Sequence, residues 1–304
     1  MALFLDVVTE VTLPIVVMVV LGFFLQRRAG VEVASLSRLV LFGTLPCLLV
    51  YSLASADLPL AAVQVTVIAT VVLYFLMMAV GWAAAALFGL SNELRRLFAL
   101  AAAFPNTGPF GIPVVELAFG TDYVLHQAVI TSLHTVLILT TAPVLLSGER
   151  VGLGRSILSA FRTPLIPAMA LGLLLNAFQV ELPELVAYPL RVVGGANTPV
   201  ALIYLGAQLA AGTALASLTA TGLGIGLRLV IAPLIAWPVL LLLGPAPDVF
   251  ALLLVGAAIP VGVLLPILCA EYRRDAQLAS AMVVLSTALS PIAITLLVYL
   301  TRLG

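Results

Sequence analysis

Charged residues and cysteines are scarce in this sequence. Its 304 residues contain no lysine, two cysteines and two histidines, and only 9% of them are charged. A soluble domain carries about a quarter of its residues as charged side chains, so this composition excludes an ordinary soluble protein. The net charge of zero also excludes the basic surface that binding to nucleic acid requires. Because Cys47 and Cys269 both lie in apolar stretches, we expect neither a disulfide framework nor a metal site, and no motif indicates a cofactor.

Long apolar runs fill the sequence instead. Hydrophobic residues make up 63% of the chain, and the mean hydropathy is +1.26. Runs of about 17–25 apolar residues recur along its length, each long enough to cross about 30 Å of hydrocarbon. We therefore predict an all-α polytopic membrane protein with ten transmembrane helices in a lipid bilayer. The predicted spans, numbered 1 to 10, are 7–26, 35–54, 60–88, 95–119, 123–146, 163–179, 187–210, 222–243, 249–270 and 276–300.

Arginines in the connections between spans indicate the orientation. Connections on the cytoplasmic side of a membrane protein are enriched in basic residues, and here ten arginines fall on one side. They are Arg27, Arg28, Arg38, Arg95, Arg96, Arg150, Arg155, Arg162, Arg273 and Arg274, against only Arg191 and Arg302 on the other side. We expect an integral protein of the bacterial inner membrane with both termini extracytoplasmic. Arg228, within span 8, is expected to extend its side chain to the cytoplasmic surface.

The chain divides into two similar halves of five spans each. Prolines and tryptophans recur at an almost constant offset of 153 to 155 residues. The pairs are Pro14 with Pro167, Pro46 with Pro199, Trp82 with Trp237 and Pro105 with Pro260. Because five is odd, the second half must insert upside down, an arrangement typical of secondary transporters. We predict two inverted repeats, 1–146 and 163–304, joined by a cytoplasmic loop at 147–162.

Helix-disrupting residues interrupt spans 4 and 9 at corresponding positions. The stretch FPNTGPFGIPVVELAFG (104–120) contains three prolines, and AAIPVGVLLPILCAEY (257–272) contains two. Both interruptions fall about ten residues, or about 15 Å, inside the membrane. Unpaired backbone is tolerated there only when it is buried in protein or lines a cavity. Two helix N-termini would restart near the midplane, and their N–H groups, with Asn106 and Thr107, suit a carboxylate.

The motif in span 4 resembles helix 4 of the auxin efflux carrier family, the PIN-FORMED carriers and their bacterial relatives. The family's motif is Pro-Asn-Thr followed, after three further residues, by Gly-Ile-Pro. This sequence matches it at the same spacing with Pro105, Asn106, Thr107, Gly111, Ile112 and Pro113. The stretch AIPVGVLLPILCAEY, continuing through LASAMVVLSTALSPIAITLLVYL, is similar to the family's C-terminal signature. SRLVLFGTLPCLLVYSLA is similar to its helix 2. The resemblance extends from span 1 to the last residue.

The resemblance implies the crossover fold of sodium/proton antiporters, shared within the bile-acid/auxin carrier superfamily, with broken helices 4 and 9 crossing. Spans 1, 2, 6 and 7 would form a scaffold. Spans 3–5 and 8–10 would form a mobile transport bundle that moves like an elevator. The resemblance also implies a homodimer, formed through the scaffold, and a small organic anion such as auxin, malate or malonate as substrate.

The residues expected to contact the substrate surround the two interruptions, and Asn106 is expected to bond the anion. The set is Leu45, Pro105, Asn106, Thr107, Gly108, Asn197, Gln208, Pro260, Val261 and Gly262. For the two polar residues of span 7, Asn197 and Gln208, packing between helices is an open alternative. Candidates for ion coupling are His134, Glu116 and Ser286. An ionisable group inside the membrane is a functional candidate, although a neutral histidine bonded to a neighbouring helix is the alternative. The alternative for Glu116 is a solvated or arginine-paired carboxylate, and the alternative for Ser286 is packing between helices.

Together these features predict a secondary transporter that moves a small organic carboxylate across the cytoplasmic membrane by alternating access. A sodium-coupled organic-anion symporter of the bile-acid type is the alternative. A membrane sensor or enzyme is a further alternative. The sequence contains no HExxH or GxSxG motif and no paired aspartates within the spans, so we expect no enzymatic activity.

Overall fold

The computed structural model describes residues 2–55, 63–146, 164–211 and 217–303, and these residues are almost entirely helical. Seven of their helices are long and apolar enough to cross a membrane, which confirms a polytopic membrane protein. They coincide with spans 1, 2, 3, 5, 7, 8 and 10, and the span numbers are kept for them. Their bounds are Phe4–Ala29, Val33–Ala54, Gln64–Leu87, Thr121–Leu146, Glu184–Ala211, Leu218–Leu243 and Ala276–Arg302. The loop predicted at 147–162 lies outside the described residues.

Spans 4 and 9 are each divided into two half-helices. Half-helix 4a is Asn92–Ala103 and half-helix 4b is Ile112–Phe119; half-helix 9a is Pro247–Ala257 and half-helix 9b is Leu264–Glu271. Span 6 is represented by the single helix Leu165–Ala177. The two helices are thus interrupted where the sequence predicted. The number of ten crossing helices stays a prediction, because these pieces are each shorter than a full span.

Prolines widen four of the helices into π-helical turns. The π-helical segments Val8–Thr12, Val40–Thr44, Thr107–Gly111 and Leu227–Ile231 each end two residues before a proline. Proline has no N–H group, and its ring clashes with the carbonyl four residues earlier. The wider turn accommodates this clash without ending the helix. The prolines concerned are Pro14, Pro46, Pro113 and Pro233.

Spans 1, 2, 6 and 7 pack against one another. Span 1 lies along the second part of span 7, and span 2 contacts span 6 and the first part of span 7. Two glycines bring the backbones of spans 1 and 7 into direct contact. A Cβ atom added at Gly206 would lie 1.8 Å from the carbonyl oxygen of Val19, and one at Gly22 would lie 2.0 Å from that of Ile203. Small residues permit such an approach between membrane helices.

The remaining spans form a second group of packed helices. Span 3 packs along half-helix 4a and against spans 5 and 8, half-helix 9a packs on span 8, and half-helix 9b packs on span 10. The two groups meet where half-helix 4b and its preceding π turn lie against span 7. They meet again where span 10 lies against the beginning of span 1. The two interrupted spans therefore belong to one packed group.

Candidate functional site

The two interrupted stretches lie against each other and satisfy each other's backbone. The N–H group of Asn106 donates to the carbonyl oxygen of Pro260 over 2.8 Å, and the N–H group of Gly262 donates to that of Phe104 over 2.9 Å. An isolated antiparallel bridge joins the two stretches at this point. All four residues are buried. Backbone groups that the interruptions free from the helices are therefore paired inside the protein, as a membrane location requires.

Prolines end the two half-helices, and a glycine allows the close contact between them. Half-helix 4a ends at Ala103, because a residue that precedes a proline is disfavoured in the α conformation. Phe104, which precedes Pro105, is accordingly extended. Half-helix 9a ends at Ala257, three residues before Pro260. A Cβ atom at position 262 would lie 2.3 Å from ring carbons of Phe104, so only Gly262 fits there without displacing the ring.

A cavity of about 220 Å³ lies beside the interruption in span 4. Five of the residues predicted to contact a substrate line this cavity: Leu45, Pro105, Asn106, Thr107 and Gly108. Most of the remaining wall is apolar, with a few hydroxyl groups, and no charged side chain of the described residues lines it. These wall residues are Ser37, Leu41, Phe42, Phe104, Pro109, Thr131, Thr135, Pro164, Leu165, Tyr204, Val263, Leu264 and Ile267.

The side-chain amide of Asn106 is buried, and its NH₂ group has no acceptor among the described residues. The residue is only 2% exposed, and its Nδ2 atom makes no hydrogen bond within the described part of the chain. Buried polar groups are nearly always paired, and an unpaired one costs about 1–3 kcal/mol. The backbone N–H and carbonyl groups of Asn106 are both bonded, so the residue is fixed in place. Its amide is therefore a buried donor without an acceptor, in a residue that lines the cavity.

The other five predicted residues do not line the 220 Å³ cavity. Residues 260–262 form the opposite side of the antiparallel bridge. Asn197 is fully buried, and its Oδ1 atom accepts a hydrogen bond of 3.0 Å from the hydroxyl group of Thr44. Gln208 is half-buried on span 7. The cavity is thus built mainly from spans 2 and 4 and half-helix 9b.

Ser286 of span 10 supports the interruption in span 9. Its hydroxyl oxygen accepts from the N–H group of Val261 over 3.1 Å, and the hydroxyl group donates to the carbonyl oxygen of Val283 over 3.2 Å. Ser286 is fully buried. The side chain therefore supplies the acceptor for a backbone N–H group that no helix pairs.

Replacing Ser286 with alanine should destabilise the protein by about 1–3 kcal/mol, because the buried N–H group of Val261 loses its acceptor. Ser290 lies one turn further along and donates to the carbonyl oxygen of Thr287 in its own helix. Ser290→Ala leaves no backbone N–H group unpaired and should cost less than about 1 kcal/mol. Apparent melting temperatures of the two purified variants test this difference, and equal losses would contradict it.

Arg228 binds both half-helices that lead into the interruptions. The expectation that it extends to the cytoplasmic surface is wrong, because the residue is only 3% exposed. Its guanidinium group donates to the main-chain carbonyl oxygens of Ala102, Ala257 and Ile259 over 2.8 to 3.1 Å. These carbonyls lie at the C-terminal ends of half-helices 4a and 9a, where helices leave carbonyl groups unpaired. One side chain therefore ties the ends of both half-helices together.

A second cavity, of about 50 Å³, is lined by Arg228 and His134, together with Pro105 and Thr107. The Nδ1 atom of His134 lies 2.9 Å from the carbonyl oxygen of Ile130. A carbonyl group can only accept, so this nitrogen carries the hydrogen. A second proton on His134 would place another cation in the cavity that already holds a guanidinium group. Ion coupling through His134 stays a prediction that the geometry does not favour.

Polar contacts join the two groups of spans at a distance from the 220 Å³ cavity. Glu116 of half-helix 4b accepts a hydrogen bond from the hydroxyl group of Thr198 in span 7. The hydroxyl groups of Thr12 in span 1 and Thr295 in span 10 lie 2.5 Å apart and share a hydrogen bond. By the orientation that the arginine pattern predicts, both contacts would lie towards the extracytoplasmic side. Glu116, a candidate for ion coupling, is therefore engaged in a contact between the groups.

Gln127 of span 5 was missed at the sequence level. It is fully buried, and its Nε2 atom donates to the carbonyl oxygen of Thr107 over 2.8 Å. This bond fixes the backbone directly after Asn106. The available signal was an amide side chain in the middle of an apolar span. His126, which neighbours it, bonds to the hydroxyl group of Thr66 over 2.8 Å and so links spans 3 and 5.

These features define a polytopic helical membrane protein with a solute-sized cavity at two interrupted helices that contact each other. The chain belongs to the family described as membrane transport protein, whose sequence profile matches residues 7–299. It is also similar to a protein of Methanothermobacter thermautotrophicus described as an uncharacterized transporter. The two chains are 30% identical over 294 residues, which cover 95% of this chain and 96% of the relative. The family resemblance that the motifs indicated is thereby confirmed, and the protein is a membrane transporter.

Proposed function

We propose that this protein is a secondary carrier that moves a small organic carboxylate across the membrane. The proposal rests on Asn106, which lines the 220 Å³ cavity and whose buried Nδ2 atom has no acceptor among the described residues. A carboxylate suits this donor best, because hydrogen bonds to an ionised acceptor are about twice as strong as neutral ones. No acidic side chain among the described residues lines the cavity to repel it.

The beginnings of two helical segments add to the attraction for an anion. The π turn that leads into half-helix 4b begins directly after Asn106, and half-helix 9b begins at Leu264, which lines the same cavity. The N-terminal end of a helix carries a partial positive charge of about half a unit and is a common site for anions. A carboxylate bonded to Asn106 would lie close to both ends.

The apolar wall favours an acid with a single carboxylate and an apolar body. Leu41, Phe42 and Leu45 of span 2 line the cavity together with Leu264 and Ile267 of half-helix 9b. A dicarboxylate would need a second positive group in this wall, and the described lining supplies none. Aromatic monocarboxylates, auxin among them, therefore fit the proposal better than malate or malonate.

The packing of the spans supports an elevator mechanism. Spans 1, 2, 6 and 7 form one packed group, and both interrupted spans belong to the other. In this mechanism the first group is the scaffold, and the second group, the transport bundle, slides against it with the substrate. The cavity lies next to the ends of spans 2, 6 and 9 that adjoin arginine-rich connections, so we assign the structure to the inward-facing state.

The inward-facing state explains the polar contacts on the opposite side. The bonds from Thr198 to Glu116 and between Thr12 and Thr295 join the scaffold to the bundle. Both would close the extracytoplasmic side and would have to break when the bundle moves outward. The proposal also includes crossed half-helices, inverted repeats, extracytoplasmic termini and a homodimer formed through the scaffold.

Replacing Asn106 with alanine should weaken carboxylate binding by more than about tenfold, because a charge-assisted hydrogen bond is lost. Thermal shift with indole-3-acetate, phenylacetate, malate and malonate would identify the tightest ligand, since binding raises apparent stability. Titration and proteoliposome uptake of that acid would then compare Asn106→Ala with the wild type. Asn92→Ala, at an exposed asparagine where half-helix 4a begins, is the matched control and should bind normally.

Two results would reject the assignment of this site. The first is unchanged affinity and uptake in Asn106→Ala. The second is the absence of binding and uptake of every acid in the panel by the wild-type protein. A loss of melting temperature in the variant without ligand would show misfolding, so the comparison uses variants whose ligand-free melting temperatures match.

A further inference from the structure

Arg228 is a buried cation with no acidic partner among the described residues. Among the described residues, no other arginine and no aspartate or glutamate is buried. The described ion pairs of the chain are formed by Arg191, Arg274 and Arg302, all of them partly exposed. An isolated charge in a low-dielectric interior is very costly unless its surroundings compensate it. The compensation here comes from main-chain carbonyl oxygens.

Three carbonyl groups form a cage around this guanidinium group. Ala102 lies in the last turn of half-helix 4a, Ala257 is the last residue of half-helix 9a, and Ile259 follows within the interruption. Their oxygen atoms accept four hydrogen bonds from Arg228. In carriers with interrupted helices, unwound carbonyls and the C-terminal ends of half-helices are the groups that bind a cation from solution. Here the guanidinium group of Arg228 occupies such a set of carbonyl groups.

The charges around the interruptions show what the guanidinium group contributes. Each helix start carries about +0.5 unit and each helix end about −0.5 unit. The two starts and the two ends at the interruptions therefore cancel. Arg228 adds a full positive charge that does not titrate at physiological pH. This charge makes the region as a whole positive and adds to the local attraction of the two helix starts for an anion.

We propose that Arg228 is a built-in cation that occupies a three-carbonyl cation site formed by Ala102, Ala257 and Ile259. The organic anion therefore binds without a metal cation from solution. This second statement rests on the proposed function. When the Arg228 side chain is removed, the three-carbonyl site should bind a small monovalent cation. The guanidinium ion carries the same hydrogen-bond donors as the arginine side chain.

Chemical rescue tests the cation site directly. Arg228→Ala removes the guanidinium group beside the 50 Å³ cavity, and its melting temperature should fall. Guanidinium chloride at about 10 mM, far below denaturing concentrations, should then raise the melting temperature of this variant by about 2 °C or more. The same concentration of sodium chloride controls for ionic strength. Arg191→Ala, at a side chain that is 50% exposed, is the matched control and should show no rescue.

Charge-conserving and neutral variants separate electrostatics from packing. Arg228→Lys keeps the positive charge, whereas Arg228→Gln keeps a hydrogen-bond donor without it. In the ligand panel, the lysine variant should bind the tightest acid within about threefold of the wild type, and the glutamine variant should lose about tenfold or more. The wild type should bind this acid equally well in sodium chloride and in choline chloride.

Each arm has a result that overturns the inference. If guanidinium stabilises Arg228→Ala no more than it stabilises Arg191→Ala, the proposed cation site is rejected. If Arg228→Ala does not fold, equal affinities of the lysine and glutamine variants would reject the role of the charge. A wild type that binds the acid only in sodium would show a sodium-coupled symporter. A wild type that binds no acid in either salt would reject the proposed function, while the rescue result would still decide on the cation site.

Discussion

Replacing Gly206 with alanine is expected to destabilise the protein by about 3 kcal/mol or more, the upper range for overpacking a tight contact. The added Cβ atom would lie 1.8 Å from the carbonyl oxygen of Val19 and 2.7 Å from its carbonyl carbon. These are backbone atoms, so no side chain can rotate away. Spans 1 and 7 would have to separate along their whole contact.

Gly222 of span 8 provides the matched control, with an effect of opposite sign. It is exposed, and a Cβ atom there would meet nothing within 4 Å. Alanine is a better helix former than glycine by about 1 kcal/mol, so Gly222→Ala should be neutral or slightly stabilising. Gly206→Ala should lower the apparent melting temperature by about 6 °C or more. Similar melting temperatures for the two variants would show that spans 1 and 7 do not meet through Gly206.

A disulfide between positions 12 and 295 is expected to abolish transport. Thr12 and Thr295 share a hydrogen bond between spans 1 and 10, with oxygen atoms 2.5 Å apart. Cysteines at both positions place two sulfur atoms near bonding distance. In the proposed mechanism this bond joins the scaffold to the bundle. Uptake by proteoliposomes should fall to background after oxidation and return after reduction.

The crosslinking experiment needs a background without the native thiols. Cys47 and Cys269 are both free and would be replaced with alanine. The single variants Thr12→Cys and Thr295→Cys, treated with the same oxidant, should retain uptake. Mass spectrometry would establish that the double variant is crosslinked. Full uptake by a fully crosslinked protein would reject relative sliding of spans 1 and 10 and, with it, the elevator mechanism.

The spans and the interruptions could be predicted because they depend on local chemistry. Apolar length determines a membrane span, and a proline ends or widens a helix whatever its neighbours. The offset that pairs Pro105 with Pro260 also predicts equivalent depths for the two interruptions. Five predicted site residues line one cavity. Four of them are the consecutive residues 105–108, and the fifth, Leu45, directly precedes the proline of span 2.

The role of Arg228 could not be predicted because its partners are main-chain carbonyls. Every residue has a carbonyl group, so such partners leave no signature in the sequence, unlike an aspartate or a glutamate. The bond from Gln127 to the carbonyl oxygen of Thr107 was missed for the same reason. Which carbonyls meet at Arg228 is decided by the packing of span 8 on both half-helices, which is a tertiary property.

The hydrogen bond between Thr44 and Asn197 has a consequence for the origin of the fold. These residues are 153 positions apart, the same offset that relates Pro46 to Pro199, so under the proposed repeat they are equivalent. Equivalent residues contact each other only on the twofold axis of an isologous interface. A five-helix ancestor that assembled as an antiparallel pair would have made this contact between two identical chains. Fusion of two copies of such an ancestor would allow one copy of the position to become a donor and the other an acceptor.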